Sequence, residues 1–181
     1  MFVVKYSGPF GFIKPWTAVR DSETFSQQFL TPSIVEGIEK KLFPELIPTQ
    51  GIFKILRHKL HYVGISRQQE VTQTRGWENK KQEKRMFRSN SILVRGVMLS
   101  PSLYLAFETL EDAERAVLQH ICLCRNEDIM YPESVETITE EAFDQLEGFE
   151  LRFEQTENSF MVGFNRFDGS AMYGTLKLPE L

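Results

Sequence analysis

The apolar residues of this chain change their spacing in a fixed order, and this order constrains the fold more than any other feature of the sequence. Strand-like alternation and helix-like stripes follow one another as strand, helix, strand, strand, helix, strand. The segments are residues 1–7, 32–43, 51–63, 91–107, 109–120 and 135–138. This order is typical of the ferredoxin-like arrangement, in which two helices cover one face of an antiparallel sheet. We therefore predict an α+β fold of ferredoxin-like or RRM-like type, whose other sheet face stays free to bind a partner.

Both predicted helices begin at clear start signals. Thr31 is followed by Pro32, which suits an N-cap with proline at the first helical position. The apolar stripe of this first helix consists of Ile34, Val35, Ile38 and Leu42. The run from Thr109 to Asp112 resembles a capping box, and we expect the second helix to end near His120. Its apolar face consists of Leu110, Ala113, Ala116, Val117 and Ile121.

The predicted strands differ in length and in the signals that end them. Phe2, Val4 and Tyr6 share one face of the first strand, whereas residues 51–63 alternate long enough to predict a long second strand. Since proline lacks the donor of a β-ladder, we expect a bend or a sheet edge near Ser100-Pro101. The tail, residues 139–181, carries three short strand patterns, which predict a β-meander. Their ranges are 149–153, 160–164 and 172–178.

Length and composition predict one globular domain without a membrane segment. The chain has 181 residues, of which 41% are hydrophobic and 25% charged, so it can form a core and disorder is not its default. No stretch approaches the roughly 18 apolar residues of a membrane span, and the start lacks a targeting pattern. Cys122 and Cys124 do not look like a disulfide framework, so a reducing cytoplasm fits best.

Sequence patterns of metal sites and of common nucleotide enzymes are missing. His120, Cys122 and Cys124 alternate, but without the paired spacing or the fourth ligand of a zinc site, so we expect them to be buried for structural reasons. The chain has no phosphate loop, no nucleophile elbow and no dinucleotide fingerprint. We therefore predict no metal and no cofactor. A group of acids is expected to form a solvated surface that could face a basic partner, namely Glu133, Glu136, Glu140, Glu141 and Asp144.

Positive and negative charges are segregated along the chain. Between Lys54 and Arg95 there are eleven Lys or Arg residues against three acids, although the whole chain has a net charge of −4. Between Glu108 and Glu157 the balance is reversed, with fifteen acids against three arginines. A concentrated basic segment attracts polyanions whatever the overall charge. The alternative is a solvated basic run that serves only solubility.

The basic segment includes a long interruption of the apolar pattern, residues 64–88. Segments of this length without apolar period are uncommon in compact domains and are usually functional or disordered. Trp77 and Phe87 are interleaved with its cations, and single-stranded nucleic acid is bound by such combinations because cations neutralise phosphates and aromatic rings stack on bases. We predict an insertion here that binds single-stranded nucleic acid; the alternative is a disordered basic hairpin beside an edge strand.

Three segments carry a resemblance to a known family. They are 2-FVVKYSGPFGF-12, 29-FLTPSIVEGI-38 and 122-CLCRNED-128, in this order. Together they resemble family five of the CRISPR-associated proteins, a RAMP group, over residues 1–138. In that family a strand ending in glycine precedes a Thr-Pro-Ser helix start, a long strand, a β-hairpin thumb and a Leu-Gly-Arg-x-Glu-Asp-like turn. This chain departs from the pattern at Cys124, where glycine is usual, and Gly163, Gly169 and Gly174 do not form the glycine-rich loop of many RAMP proteins.

The resemblance implies a function in RNA-guided defence. The family implies a RAMP-like domain with a basic thumb at residues 64–88 and a β-rich extension at 139–181. It implies a subunit of the Cascade surveillance complex that grips the 5′ handle of the guide RNA (crRNA) and caps the backbone of the assembly. We expect this chain to bind the RNA without catalysis. Implied partners are the crRNA, the backbone RAMP subunit, the large subunit and, indirectly, target DNA.

The resemblance also implies which residues contact the RNA. Ser33 and Gly37 would lie at the helix start beside the handle, and Arg125 with Glu127 would belong to the structural turn. The full set of expected RNA-binding residues is Lys14, Trp16, Arg20, Ser33, Gly37, Arg57, His58, Arg67, Arg75, Trp77, Lys80, Lys81, Lys84, Arg85 and Arg88. Trp77 or Trp16 is expected to stack on a base, and the amides near Thr31 to Ile34 to meet a phosphate.

Two alternatives remain open at this point. Some members of the family cut precursor RNA, and metal-free cleavage requires a base, an acid and a cation. The candidates are His58, Lys59, His61 and Tyr62. Since His58 and His61 should lie on opposite faces of one strand, they do not easily converge on a phosphate. The second alternative is a protein-only adaptor that uses the acidic half of the chain.

Overall fold

The computed structural model describes residues 1–15, 22–74, 76–82, 84–123, 125–165 and 168–178. The strands of these residues, in chain order, are β1 (Phe2–Ser7), β2 (Phe10–Gly11), β3 (Glu23–Phe25), β4 (Ile55–His61), β5 (Gly64–Gln73), β6 (Glu78–Lys80), β7 (Arg85–Phe87), β8 (Asn90–Leu99), β9 (Ser102–Phe107), β10 (Ile121–Cys122), β11 (Ile129–Thr137), β12 (Glu150–Arg152), β13 (Phe160–Phe164) and β14 (Ala171–Lys177). The helices are α1 (Pro32–Leu42), α2 (Leu110–Ala116) and α3 (Glu140–Asp144), with a short 3₁₀ turn at Pro44–Leu46. None of the described helices is long and apolar enough to cross a membrane.

The central sheet has the strand order β10-β11-β1-β9-β4, and its neighbouring strands are antiparallel. The predicted sequence of elements, strand, helix, strand, strand, helix, strand, corresponds to β1, α1, β4, β9, α2 and β11. The first strand thus lies inside the sheet between the last and the third, which is a ferredoxin-like order. The α+β prediction is confirmed by this topology.

Helices α1 and α2 cover one face of the central sheet. Val4 and Tyr6 of β1 belong to the same buried cluster as Val35 of α1 and Ala116 of α2. The buried Tyr6 hydroxyl donates a hydrogen bond of 2.7 Å to the Ala116 carbonyl oxygen. This bond replaces the hydrogen bond to water that the hydroxyl loses on burial. The predicted start of α1 is confirmed, with Pro32 in its first turn. The start of α2 is also confirmed, since the Thr109 side chain accepts a hydrogen bond from the Asp112 N–H.

Two predicted elements are shorter than their patterns indicated. Strand β4 begins only at Ile55, because the backbone N–H groups of Phe53 and Lys54 bind the Glu39 carboxylate instead of a neighbouring strand. Helix α2 ends at Ala116, and Ile121 already pairs in β10. The apolar stripe continued past the end of the helix because Val117 and Ile121 also pack in the core.

Strands β5 and β8 form a long antiparallel hairpin that we call the arm. Its shaft pairs ten residues on each side, from Gly64 opposite Leu99 to Gln73 opposite Asn90, which is roughly 33 Å of strand. Strands β6 and β7 pair with each other at its tip, between the two halves of the shaft. Residues 64–73 therefore form a strand, whereas the sequence showed no apolar period there. The reason is that most of β5 is exposed and has no face against the core.

The arm joins a second sheet at its base. Strand β2 pairs antiparallel with the last residues of β8, and β3 pairs parallel with Val94–Gly96 on the same strand. The bend predicted near Ser100-Pro101 is confirmed: Ser100 separates β8 from β9 and has a positive φ of 47°. This bend lets one continuous stretch of chain serve both the arm and the central sheet.

The other face of the central sheet is not free, contrary to the sequence prediction. Phe143 of α3 packs there against Val3 and Ala106 in a second buried cluster. Strands β12, β13 and β14 form a separate sheet in the order β12-β14-β13, so the predicted strands exist but the β-meander order is wrong. Burial of the apolar residues Phe143 and Leu151 favours this arrangement, in which the tail packs back against the central sheet.

Candidate nucleic-acid interface

The arm tip concentrates exposed cations around two aromatic rings. Its exposed cations in the described residues are Lys80, Lys81, Lys84, Arg85 and Arg88. The Trp77 side chain is exposed, at 59% of its maximum area. A tryptophan at this exposure on a monomeric surface is unusual, because its large ring normally loses water contact on folding. The tip therefore offers positive charge and an aromatic face together.

Pairing of β6 with β7 explains this arrangement. Glu78 lies opposite Phe87 and Lys80 opposite Arg85, so the flanking Trp77 and Arg88 come next to each other. The Arg88 guanidinium carbon lies 4.9 Å from the centre of the Trp77 ring. The Lys80 Nζ lies 4.9 Å from the centre of the Phe87 ring, as expected for diagonal neighbours on one sheet face. Each ring thus carries one cation, and cation–π contacts of this kind orient both groups.

The shaft carries charge that is mostly paired within the chain. Arg67 is exposed, and its guanidinium forms an ion pair of 2.7 Å with Glu23 of β3. Arg95 lies 3.6 Å from Glu70 across the hairpin and 5.9 Å from the Phe12 ring. Exposed pairs of this type contribute little stability and open easily, so Arg67 stays available to a competing anion.

Residues of the predicted RNA-binding set lie in three further places. Lys14 is exposed. On α1 the Ser33 hydroxyl lies 3.4 Å from Met172 Sδ, and a side chain at Gly37 would point into open space. Trp16, Arg20 and Arg75 lie outside the described residues. The structure thus brings the arm residues together, whereas α1 and its start form a separate surface.

Arg57 and His58 occupy different positions from those that the resemblance implied. Arg57 donates hydrogen bonds to both Glu150 carboxylate oxygens, at 2.8 and 2.5 Å, and to Asp144 at 2.5 Å. These acids raise the pKa of Arg57, the Glu150 hydrogen bond being the largest cause. His58 is only 4% exposed, and burial lowers its pKa to about 4. Neither side chain is presented at the surface in this conformation, because the tail folds over β4. Whether they contact RNA stays a prediction.

The four residues that could have formed a nuclease site do not converge on one point. The Lys59 ammonium donates to the backbone carbonyls of Asp144 and Leu146, both at 2.7 Å. His61 lies 3.4 Å from the Glu147 carboxylate, and Tyr62 stacks on Phe149. The predicted alternation of faces along β4 is confirmed by its register with β9, where Arg57 and Lys59 lie opposite Ala106 and Tyr104 and His58 lies opposite Leu105. His58 therefore lies on the opposite face of β4 from Lys59 and His61.

Two other predictions about charged or polar residues have mixed outcomes. The turn at Arg125 forms as the resemblance implied: the guanidinium binds the buried Asp128 carboxylate at 2.8 and 2.6 Å and lies 3.5 Å from Glu127. The predicted burial of His120 is wrong, since its ring is exposed near Tyr131, and Cys122 is only half-buried. Cys124 lies outside the described residues. The acidic surface is partly committed within the chain, because Asp144 pairs with Arg57 and Glu133 with Lys5.

Sequence reasoning missed two groups of residues. Val71 and Ile92 lie directly opposite each other on the shaft and are 66% and 57% exposed. They would follow from a strand predicted over residues 64–73. That strand was not predicted, because both of its faces are largely exposed and it therefore has no apolar alternation. The second group is a cleft of about 410 Å³ between β4 and β12, lined among others by Arg57, His58, Arg152 and Phe153. No sequence signal connects residues so far apart in the chain.

The chain is similar to known proteins in structure but not in sequence. No family model matches the chain, and no curated protein matches its sequence. Its structure is similar to a chain of the cryo-EM structure of the type III-B Cmr-beta bound to cognate target RNA and AMPPnP. The TM-score is 0.51 at 7% sequence identity, and the match covers 99% of this chain and 84% of the other. At this identity the likeness shows a shared fold alone: an α+β domain with an antiparallel sheet and few helices.

Proposed function

We propose that this protein is an RNA-binding subunit of a CRISPR effector complex and that it holds a short unstacked stretch of guide RNA with its arm. The single observation that carries the proposal is the arm tip, which presents the exposed cations Lys81, Lys84 and Arg88 together with the exposed Trp77. Exposed cations concentrated at a projecting tip attract a polyanion such as RNA. Aromatic rings at the same place add stacking on bases.

The cations and the aromatic ring of the arm tip contribute differently to RNA binding. Phosphates neutralised by the tip cations release counterions, which supplies affinity and makes binding depend on salt. A base stacked on Trp77 contributes about 1–3 kcal/mol in a sequence-tolerant way. Single-stranded RNA suits this surface better than a duplex, because unpaired bases expose their faces to an aromatic ring.

The shared fold supports the assignment to a CRISPR complex, since the similar chain belongs to a type III-B particle bound to RNA. The resemblance of the 2–12, 29–38 and 122–128 segments suggests a more specific role, the gripping of the guide 5′ handle at the end of a Cascade backbone. We propose that role as the finer form of the function. Its partners would then be the guide RNA, the backbone RAMP subunit and the large subunit, with target DNA reached through the guide.

We propose binding rather than cleavage. His58 is buried beside Phe153, and its low pKa comes from burial rather than from a substrate-facing partner. The neighbouring Lys59 ammonium is held by two backbone carbonyls. A general base must reach the proton that it removes, and these groups have no common open site for a 2′-hydroxyl.

Fluorescence anisotropy with a labelled single-stranded RNA tests the arm directly. If about five phosphates are neutralised, log K should fall with log salt at a slope near −3.5, from roughly 0.7 per phosphate on a single strand. In the double variant Lys81→Ala/Lys84→Ala we expect a slope smaller by about 1.4 and at least tenfold weaker binding at low salt. Trp77→Ala should weaken binding without changing the slope, because stacking releases no counterions.

The matched control is Lys41→Ala/Lys177→Ala, which removes two exposed cations away from the arm. It changes the net charge by the same amount and should leave the slope unchanged. Equal losses in both double variants would mean that only overall charge matters, and the arm proposal would be wrong. Sequencing of RNA that copurifies with the tagged chain from its native cells tests the CRISPR assignment, which requires enrichment of guide RNA over total RNA.

A further inference from the structure

Two buried polar atoms without hydrogen-bond partners lie at the same cleft. Within the described residues, the buried side-chain nitrogen and oxygen atoms without a partner are His58 Nε2 and Arg152 Nε. Both residues line the cleft of about 410 Å³ between β4 and β12. An unsatisfied buried polar group costs about 1–3 kcal/mol, so an acceptor and a donor without partners on two residues that line one cleft call for an explanation.

The open atom of His58 is an acceptor. Burial lowers the pKa of His58 to about 4, so the ring is neutral at pH 7 and carries one N–H. The Leu30 backbone carbonyl accepts a hydrogen bond from the ring. Since Nε2 has no partner, the hydrogen lies on Nδ1 and the Nε2 lone pair is left open. Arg152 Nε, in contrast, always carries a hydrogen.

The charges that line the cleft favour a neutral molecule. Arg57 is paired with Glu150, and the Arg152 guanidinium lies 3.7 Å from the same carboxylate. Glu154 adds a second negative charge at the exposed rim. Two cations and two carboxylates leave no excess positive charge, so a phosphate would gain little here. The cleft thus differs from the arm tip, where cations dominate.

Apolar, flat surfaces form the rest of the lining. Phe53 and Leu56 are exposed on one side of the cleft, and Phe153 is 40% exposed on the other. The Phe153 ring stacks on the His58 ring with centroids 5.1 Å apart and planes 29° apart. Exposed aromatic surface beside the open acceptor His58 Nε2 and the open donor Arg152 Nε suits a flat ring that carries a donor and an acceptor on adjacent edge atoms.

We propose that this cleft binds an unstacked nucleobase, whose edge donates a hydrogen bond to His58 Nε2 and accepts one from Arg152 Nε. The Watson–Crick edge of each nucleobase presents a donor and an acceptor on adjacent atoms of a neutral planar ring. The inference deepens the proposed function and rests on it only in that the base would belong to bound RNA. The arm holds phosphates, and the cleft holds a base.

Binding requires a small local movement. Neither nitrogen is accessible in the unliganded chain, so the base must displace a covering group. The Arg152 side chain is 37% exposed, and its ion pairs with Asp144 and Glu150 are long, at 3.8 and 3.7 Å. Pairs this long stabilise little, and the guanidinium can turn at low cost. The Arg57 pair with Glu150 is much shorter and stays in place as the floor of the cleft.

Titration of the full chain with adenosine, guanosine, cytidine and uridine, followed by ¹⁵N NMR of labelled histidine, tests the inference without RNA. We expect a saturable shift of the His58 Nε2 signal with at least one nucleoside, and no response to ribose 5-phosphate. Absence of a shift with all four nucleosides at millimolar concentration would overturn the proposal, and so would an equal response to ribose 5-phosphate.

Two variants separate the cleft from a general effect. His58→Phe keeps a ring beside Phe153 and removes the acceptor, and Arg152→Lys keeps the charge and removes the Nε donor. We expect each to weaken nucleoside affinity at least fivefold by calorimetry, with Lys41→Ala as a neutral control. If His58→Phe does not fold, Arg152→Lys decides, and wild-type affinity in that variant overturns the proposal. Since salt-dependent RNA binding measures the arm alone, failure of one proposal leaves the other measurable.

Discussion

Arg57 on β4 donates two hydrogen bonds, 2.8 and 2.5 Å long, to the two carboxylate oxygens of Glu150 on β12. The pair connects residues 93 positions apart and fastens the C-terminal sheet to the edge of the central sheet. Both side chains are largely buried, at 13% and 4% exposed. Bidentate pairing satisfies the planar guanidinium and the carboxylate together, which offsets the cost of removing both charges from water.

Loss of either partner should therefore destabilise the chain strongly. For Glu150→Ala we expect the free energy of unfolding to fall by about 3–5 kcal/mol, because Arg57 keeps a buried charge with only Asp144 beside it. Urea denaturation followed by circular dichroism measures this. The exposed pair of Arg115 with Glu45 is the control: Arg115→Ala should cost at most about 1 kcal/mol. Similar losses in both variants would contradict a buried role for Arg57.

Stability should decrease on mild acidification through His58. Burial lowers its pKa from 6.5 to about 4, so the unfolded chain takes up the proton first as the pH falls. The contribution is complete above about pH 6.5 and is lost as the pH falls towards 4. Linkage gives about 2 kcal/mol between pH 7 and pH 5. Urea midpoints at the two pH values measure it. His58→Phe should flatten this dependence, and His120→Gln, at an exposed position, should not.

The Glu39 carboxylate should be essential for the segment before β4. It is buried and accepts hydrogen bonds from the backbone N–H groups of Phe53, Lys54 and Ile55. In Glu39→Ala these donors lose their acceptor, and we expect the free energy of unfolding to fall by about 2–4 kcal/mol. Hydrogen exchange should show faster exchange of the same three amides. Lys41→Ala, on the exposed side of the same helix, should change stability by less than about 0.5 kcal/mol.

Ser100 should gain stability on substitution by glycine. Its φ of 47° lies in the left-handed region, which costs a residue with a Cβ atom about 1–2 kcal/mol. Glycine removes this strain but adds freedom to the unfolded chain. For Ser100→Gly we expect a net gain of about 0.5 kcal/mol and a higher thermal midpoint. Ser102→Gly, within β9, should lower the midpoint, and a lower midpoint for Ser100→Gly would refute the account of strain.

Much of the architecture could be predicted from local patterns. The α1 start at Thr31-Pro32 and the α2 start at Thr109 depend on residues within one turn, and the bend at Ser100-Pro101 depends on a missing donor. The alternation that assigns Phe2, Val4 and Tyr6 to one face is equally local. These features were predicted because the neighbouring residues that enforce them are also neighbours in sequence.

The arm could be predicted in part. Its cations and Trp77 marked residues 64–88 as a binding segment, and they now lie together at an exposed tip. The shaft was not predicted, because β5 has no buried face and so no apolar period. Its ten residues are strand only because β8 supplies their hydrogen-bond partners. Pairing with a distant strand, rather than side-chain pattern, determines that segment.

Short-range periodicity and composition were enough to predict the order of elements, the helix starts and the place where positive charge accumulates. The surroundings of Arg57 and His58 could not be predicted in this way. Both side chains are largely buried because the chain around β12 packs against β4 and brings Glu150 and Phe153 to them. A charged or titratable side chain takes its role from the partners and the solvent around it, and for these two residues both are set by chain about ninety positions away.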